Sequence, residues 1–248
     1  MNKMKTILAF LIISLVTISC SNDNEETKTV PTTTELKYSN GGLITGTTST
    51  SGAVAQAGYS WSELSSGATN LGFNATGDSK LADDFTVPDG EKWTINKFIF
   101  YAYQTGYTFT TNPINEIKYS LYDTNPSIAG ATPIYGDFTI NKYVSSEEAK
   151  IYRIPKNSSE TTRKVFKITT SATDLVLMPG TYWIAWKSRN SDNSIHYFPN
   201  NETSNATLNA KFNAIQQLGN AWYVLNDGGT EQTKVDFPFE VVGTKTKL

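Results

Sequence analysis

The chain has 248 residues, with 21 Lys and Arg against 23 Asp and Glu, and this slight acidity argues against nucleic acid as a partner. Its single cysteine rules out an intrachain disulfide and a thiolate metal cluster, so the hydrophobic core must hold the fold. Aromatic residues make up 12%, Met only three, and helical periodicity is nearly absent, a profile that predicts a β-protein.

Lys3 and Lys5 precede an uncharged run from Ile7 to Ile18. That run is too short to span a bilayer and has the length of the apolar part of a secretory signal. Its end, Leu15-Val16-Thr17-Ile18-Ser19-Cys20, resembles a bacterial lipoprotein signal, although Thr17 stands where leucine is usual. The resemblance implies removal of residues 1–19 and acylation of Cys20, giving a diacylglyceryl anchor held by about 0.8 kcal/mol per buried CH₂. The plainer alternative is an ordinary signal peptide with an incidental cysteine.

Cleavage there leaves 229 residues, with 19 basic and 23 acidic side chains. The mature chain opens on Ser21-Asn22-Asp23-Asn24-Glu25-Glu26. This run looks like the signal by which Bacteroidetes-type bacteria send lipoproteins to the outer face of the outer membrane, with Asp23, Glu25 and Glu26 as its acidic members. Its other reading is a solvated tether. Residues 20–52, rich in Thr, Ser and Gly, read as an acylated N-terminus and flexible stalk with one short strand near Leu43, and residues 53–248 as one β-domain.

Tyr59-Ser60-Trp61-Ser62 opens the folded part. Leu81–Val87 and Trp93–Tyr103 then read as two strands around the turn Pro88-Asp89-Gly90. In the second strand Trp93, Ile95, Ile99, Tyr101 and Tyr103 recur at even spacing while Phe98 and Phe100 fill the other face, which predicts burial on both sides. The loop from Gln104 to Pro113 is long and carries Tyr107 and Phe109 among polar residues. Ile117, Tyr119 and Leu121 alternate with Lys118 and Ser120 in a half-buried strand that ends at Asp123-Thr124-Asn125-Pro126.

Shorter strands are predicted near 134–140, 150–154 and 164–169. After Met178-Pro179-Gly180, the strand Thr181–Lys187 again carries large groups on both faces. Arg189–Ser194 is a polar loop, and 206–218 a short helix or an extended flap. Trp222–Leu225 is a strand, Asn226–Gly229 a turn, and Val235–Val242 a last strand that Pro238 puts at an edge or a bulge. Many short strands without a βαβ rhythm predict an all-β, antiparallel β-sandwich of jelly-roll type.

The segments Leu81–Pro88, Trp93-Thr94-Ile95, Tyr103-Gln104-Thr105-Gly106, Pro179–Trp183 and Phe237–Gly243 resemble a family of secreted bacterial β-sandwich proteins, over roughly residues 70 to 243. The resemblance implies an outline similar to the accessory, carbohydrate-binding-like domains of extracellular proteins. It brings no catalytic residues with it.

The residues themselves point the same way. His196 is the sole histidine and reads as the outward member of a strand, and no nucleophile elbow, paired-histidine motif or phosphate-binding glycine loop is present. Asp83 and Asp84 are strand neighbours on opposite faces, so they cannot flank one substrate, although either is a candidate ligand for a structural calcium ion. Asp123, Asp192 and Asp227 read as turn residues. Trp93, Trp183 and Trp222 read as core, while Trp61, Tyr107, Phe109 and Trp186 are the candidates for a ligand platform. The expectation is a lipid-anchored outer-membrane protein facing the exterior, without a catalytic site, that binds glycans or serves adhesion. A structural component of an outer-membrane complex with a protein partner is the second reading, and a polysaccharide-degrading enzyme the third.

Overall fold

The run with the strongest aromatic alternation becomes a central strand: Glu91–Tyr103 forms β5, in the middle of the larger of two sheets. A computed structural model describes residues 32–201, 212–230 and 232–248. The expected signal peptide, Cys20 and the acidic residues Asp23, Glu25 and Glu26 lie outside the described residues, as does the 206–211 part of the expected helix or flap.

The larger sheet has the order β1 (Thr33–Ser39), β14 (Phe239–Lys247), β5, β9 (Lys164–Leu177), β8 (Tyr143–Ile154), β2 (Ser60–Glu63). Two short strands, β3 (Phe73–Asn74) and β11 (Tyr197–Phe198), attach at the end of β5. The smaller sheet has the order β13 (Ala221–Val224), β12 (Ile215–Leu218), β4 (Lys80–Val87), β10 (Gly180–Asn190), β6 (Ile114–Tyr122), β7 (Tyr135–Asp137). Every pairing is antiparallel except β2 with β8. The described residues contain no helix, and the two sheets pack face to face as a β-sandwich.

Alternation builds the interface between the sheets. Phe98 and Phe100 of β5, Phe166 and Ile168 of β9 and Phe239 of β14 meet Leu81 and Phe85 of β4, Tyr119 and Leu121 of β6 and Ile184 and Trp186 of β10. The rings lock together: Phe85 stacks on Trp93 at 6.2 Å, and Trp186 lies 5.2 Å from Phe100. Between β4 and β5 the expected turn forms, with Gly90 at φ +78° and its neighbour Glu91 donating to the Pro88 carbonyl at 3.2 Å. On the far side of β5, Tyr103 joins Val165, Ile151 and Leu43 in a second cluster. The strand is therefore covered on both faces.

Leu43 marks a correction. Within the stalk expected through residue 52, Thr33–Ser39 pairs along its whole length with β14 and buries Leu36, and Leu43 is buried outside any strand. Leu36 and Tyr38 are the only apolar residues in that strand, too few to reveal a period of two, and the ladder that fixes them comes from the other end of the chain. Residues 215–218 are a strand, β12, which excludes the helix among the two expectations for that part of 206–218. The last strand begins after Pro238, at Phe239, and its irregularity falls at Val242/Gly243. There a Cβ on Gly243 would sit 2.0 Å from the Thr94 carbonyl oxygen, so only glycine lets β14 approach β5 so closely.

Candidate functional site on the outward face of the smaller sheet

The register of the smaller sheet sets five side chains in a line across its outward face. Trp222 stands opposite Gln217, and Gln217 opposite Lys80. Lys187 stands opposite Lys118 and follows Trp186, whose partner on β4 is Leu81, so it lies beside Lys80. Strands are spaced by about 4.8 Å, which makes the strip about 19 Å long. All five residues are half-buried.

Beside the strip runs a row of smaller residues: Ile215, Ala82, Ala185, Ser120 and Gly136, neighbours across five strands. Gly136 has φ +73°, and a Cβ there would meet the Tyr119 carbonyl oxygen at 2.4 Å. Trp183 and Tyr122 are buried with Ala82, Ala185 and Ile215 in a separate apolar cluster, against which Phe138 and Trp222 pack while remaining partly exposed.

The charges along the strip are unevenly answered. Lys80 Nζ donates to Gln217 Oε1 at 2.5 Å and lies 4.8 Å from the centroid of Phe138. Lys187 Nζ lies 6.0 Å from the same ring and forms no ion pair with a carboxylate among the described residues. Lys118 is paired with Glu116 at 2.9 Å. Burial lowers the pKa of Lys80, the neighbouring charge of Lys187 lowers it further, and Asp78 opposes both. Past Lys187 the face opens into a polar cleft of about 430 Å³ lined by Thr76, Glu116, Arg189, Asn190 and Asn193. Arg189 Nε donates to Asn193 Oδ1 there at 2.9 Å.

Asp83 and Asp84 do point to opposite faces of β4. Asp83 is fully buried and accepts hydrogen bonds from Phe237 N at 2.7 Å, Asn40 Nδ2 at 3.0 Å and Asp84 N at 2.9 Å. It also lies against Asp236, whose pKa is pushed up to about 7 by burial, with the Asp84 charge adding to it. Burial and then Asp236 raise Asp83 as well. Two carboxyl groups in this position share a proton. Both Asp83 oxygens accept N–H donors, and among the described residues no three His, Cys, Asp or Glu side chains are placed to hold a metal ion.

Of the four aromatics expected to form a platform, two are core. Trp61 is 2% exposed, donates Nε1–H to the Ala53 carbonyl at 2.9 Å and packs on Tyr152. Trp186 is 1% exposed, with Phe100, Phe198 and Phe237 around it. A ring enclosed on every side has no face to offer a ligand. Tyr107 and Phe109 do come together, edge to face at 5.4 Å, with Tyr107 seated on Phe166 and Phe109 68% exposed. They sit on the loop leaving β5 of the larger sheet, beside Arg163 and Lys164, rather than on the smaller sheet.

His196 corrects another expectation, for it is fully buried instead of facing outward. Its Nε2 is 2.5 Å from Ser188 Oγ, and burial pushes its pKa down to about 4 against the opposing effects of the Ser194 backbone and Asp192. Among the described residues no carboxylate hydrogen-bonds the ring, so the neutral imidazole and the serine form an internal link between β10 and the segment before β11. Trp93 is core as expected and Trp183 is buried, but Trp222 is half-exposed at the end of the strip. The sequence showed Lys80, Lys118 and Lys187 only as single polar positions in apolar strands; their adjacency depends on the sheet order.

Comparison of the chain with known protein families, with curated proteins and with solved structures finds no match.

Proposed function

We propose that this chain is a lipid-anchored protein of the bacterial outer membrane, displayed on the cell surface, whose β-sandwich binds glycans along the strip from Trp222 to Lys118. The observation that carries the reading is the strip itself: half-buried Trp222 and Phe138 present apolar rings beside Gln217, Lys80 and Lys187, which offer hydrogen bonds. A sugar asks for this combination, since its C–H face packs on an aromatic ring while its hydroxyls need fixed donors and acceptors. The anchor and export readings of Cys20, Asp23, Glu25 and Glu26 place such a module where polysaccharide is met.

The test is a polysaccharide panel probed with the detergent-solubilised full chain. Phe138→Ala and Trp222→Ala should each weaken binding about tenfold while leaving a cooperative thermal transition. Absence of binding across a broad panel would overturn the proposal.

One observation favours the second reading, a component of an outer-membrane protein complex. The β12–β13 hairpin forms an edge of the smaller sheet and exposes Leu218, Tyr223 and Val224. An exposed apolar edge is a template for strand addition by a protein partner. A stoichiometric protein recovered after crosslinking through this hairpin, from cells in which the panel finds no glycan, would select that reading.

A further inference from the structure

We propose that the glycan held by the strip is an acidic one, a polyuronate whose sugar carboxylates are met by Lys80 and Lys187. The proposal rests on the glycan-binding reading and names its ligand class. Its starting point is an arrangement that costs the free protein stability: lysines on β4, β10 and β6 stand side by side in register, and like charges directly opposite one another in a sheet repel.

Only one of the three is neutralised. Glu116 pairs with Lys118, Gln217 gives Lys80 an uncharged oxygen, and Lys187 is left without a carboxylate among the described residues. Three lysines on the larger sheet are treated differently, with Lys164 on Glu148, Lys167 on Glu240 and Lys245 on Glu91, and half-buried Lys97, which has no ion pair among the described residues, has Val242 and Ser171 rather than a second lysine as its partners across the strands. In a chain of net charge −2, two adjoining cations that form no ion pair among the described residues, with Asp78 acting on Lys80 alone, are a complement for an anion from outside.

Geometry narrows the anion. Lys80 and Lys187 both lie over Phe138, so a carboxylate received between the ammonium groups brings its own ring onto the phenyl face. Both lysines are half-buried, where a charge-assisted hydrogen bond is less screened than in open water. Lys80, Lys187 and Lys118 stand one to a strand on β4, β10 and β6, three of the five strands the strip crosses, spaced by about 4.8 Å. That spacing suits a chain with single charges strung along it better than one densely sulfated.

The experiment compares polygalacturonate, dextran sulfate and neutral dextran and xyloglucan by affinity electrophoresis and calorimetry, using the full chain in detergent. Polygalacturonate should bind best, with affinity falling as salt rises. Lys80→Gln and Lys187→Gln should each lose about tenfold or more in affinity for it, the loss of one charge-assisted contact. Their thermal midpoints should equal or exceed that of the natural chain, because a repulsion has been removed. Lys187→Arg should keep binding, which separates charge from packing. Unchanged polygalacturonate affinity in both Gln variants, or preference for a neutral glycan, would overturn the acidic-ligand inference and leave glycan binding standing. Preference for dextran sulfate would overturn the carboxylate assignment, and binding to no glycan would overturn both proposals.

Discussion

Paired lysines on the outward face of the larger sheet contrast with an adjoining, mostly unpaired lysine row on that of the smaller one. On the larger sheet Lys167 meets Glu240 at 3.1 Å and Lys164 meets Glu148 at 2.8 Å, while the N-terminal segment lays Leu43 over Tyr103 and Val165. On the smaller sheet Lys80, Lys187 and Lys118 adjoin with one carboxylate among them, and Phe138 and Trp222 are only partly covered. A face that the chain covers and neutralises with its own residues is finished by folding. A face that keeps a repulsive row beside open rings is chemically incomplete in the free protein, and such local inconsistencies are where function concentrates.

The largest expected effect separates the two sides of β10. Trp186 faces the core, so Trp186→Ala should destabilise by about 3–5 kcal/mol in denaturant unfolding. Phe138, on the outward side of the sheet, should cost about 1 kcal/mol as Phe138→Ala. Equal losses for the two would mean that the inward and outward faces are not energetically distinct.

The two regions should also part company with pH. Asp236 holds a folded pKa of about 7, against about 3.9 for an unfolded aspartate. Protons are bound more tightly in the folded state, so this contribution is complete below about pH 4 and is lost as pH rises through about 7. Glu148 works in the other direction. Its burial is outweighed by hydrogen bonds from Lys164, Tyr59 and Lys150, which pull its pKa down to about 2. Its contribution is present above the unfolded glutamate pKa and is lost as pH falls towards 2. Asp236→Asn should therefore flatten the stability decline between pH 4 and 8 and raise stability at pH 8 by about 1–3 kcal/mol, an amide standing in for the shared proton. Glu148→Gln should lower stability throughout the range above the unfolded glutamate pKa and flatten only the acid limb. Denaturation midpoints across that range check both signs, and an unchanged slope in Asp236→Asn would remove the carboxyl pair from the account.

The smallest effect is a difference of sign. Lys167→Gln breaks a pair and should lower stability, whereas Lys187→Gln relieves a repulsion and should raise it, each by about 0.2–1 kcal/mol. Thermal melts at low salt should show the opposition, and high salt should shrink it. Shifts of the same sign would show that the lysine row carries no strain.

What could be read from the sequence follows from how local the cause is. β5 and β10 were legible because their aromatics alternate within a single strand, and the turn at Pro88-Asp89-Gly90 because its chemistry lies in three residues. β1 was not, since its seven residues owe their ladder to β14 at the other end of the chain. Trp61 and Trp186 look alike in sequence to a ring that faces solvent, and only the neighbours that close around them decide otherwise. Phe138 and the lysine row depend on a strand order in which β4, β10 and β6 are neighbours, and no periodicity along the chain encodes that order. The carboxyl pair is half visible in the sequence: Asp83 stands out beside Asp84, but its partner Asp236 enters from the segment before β14.

The edge position of β1 bears on how the protein is handled. A chain shortened to begin at residue 53 would omit the first strand of the larger sheet and uncover the flank of β14 against which Thr33–Ser39 is paired. The slot vacated by Leu36 would then be a docking place for the same strand of a second, longer molecule, and mixtures of the two lengths would exchange it.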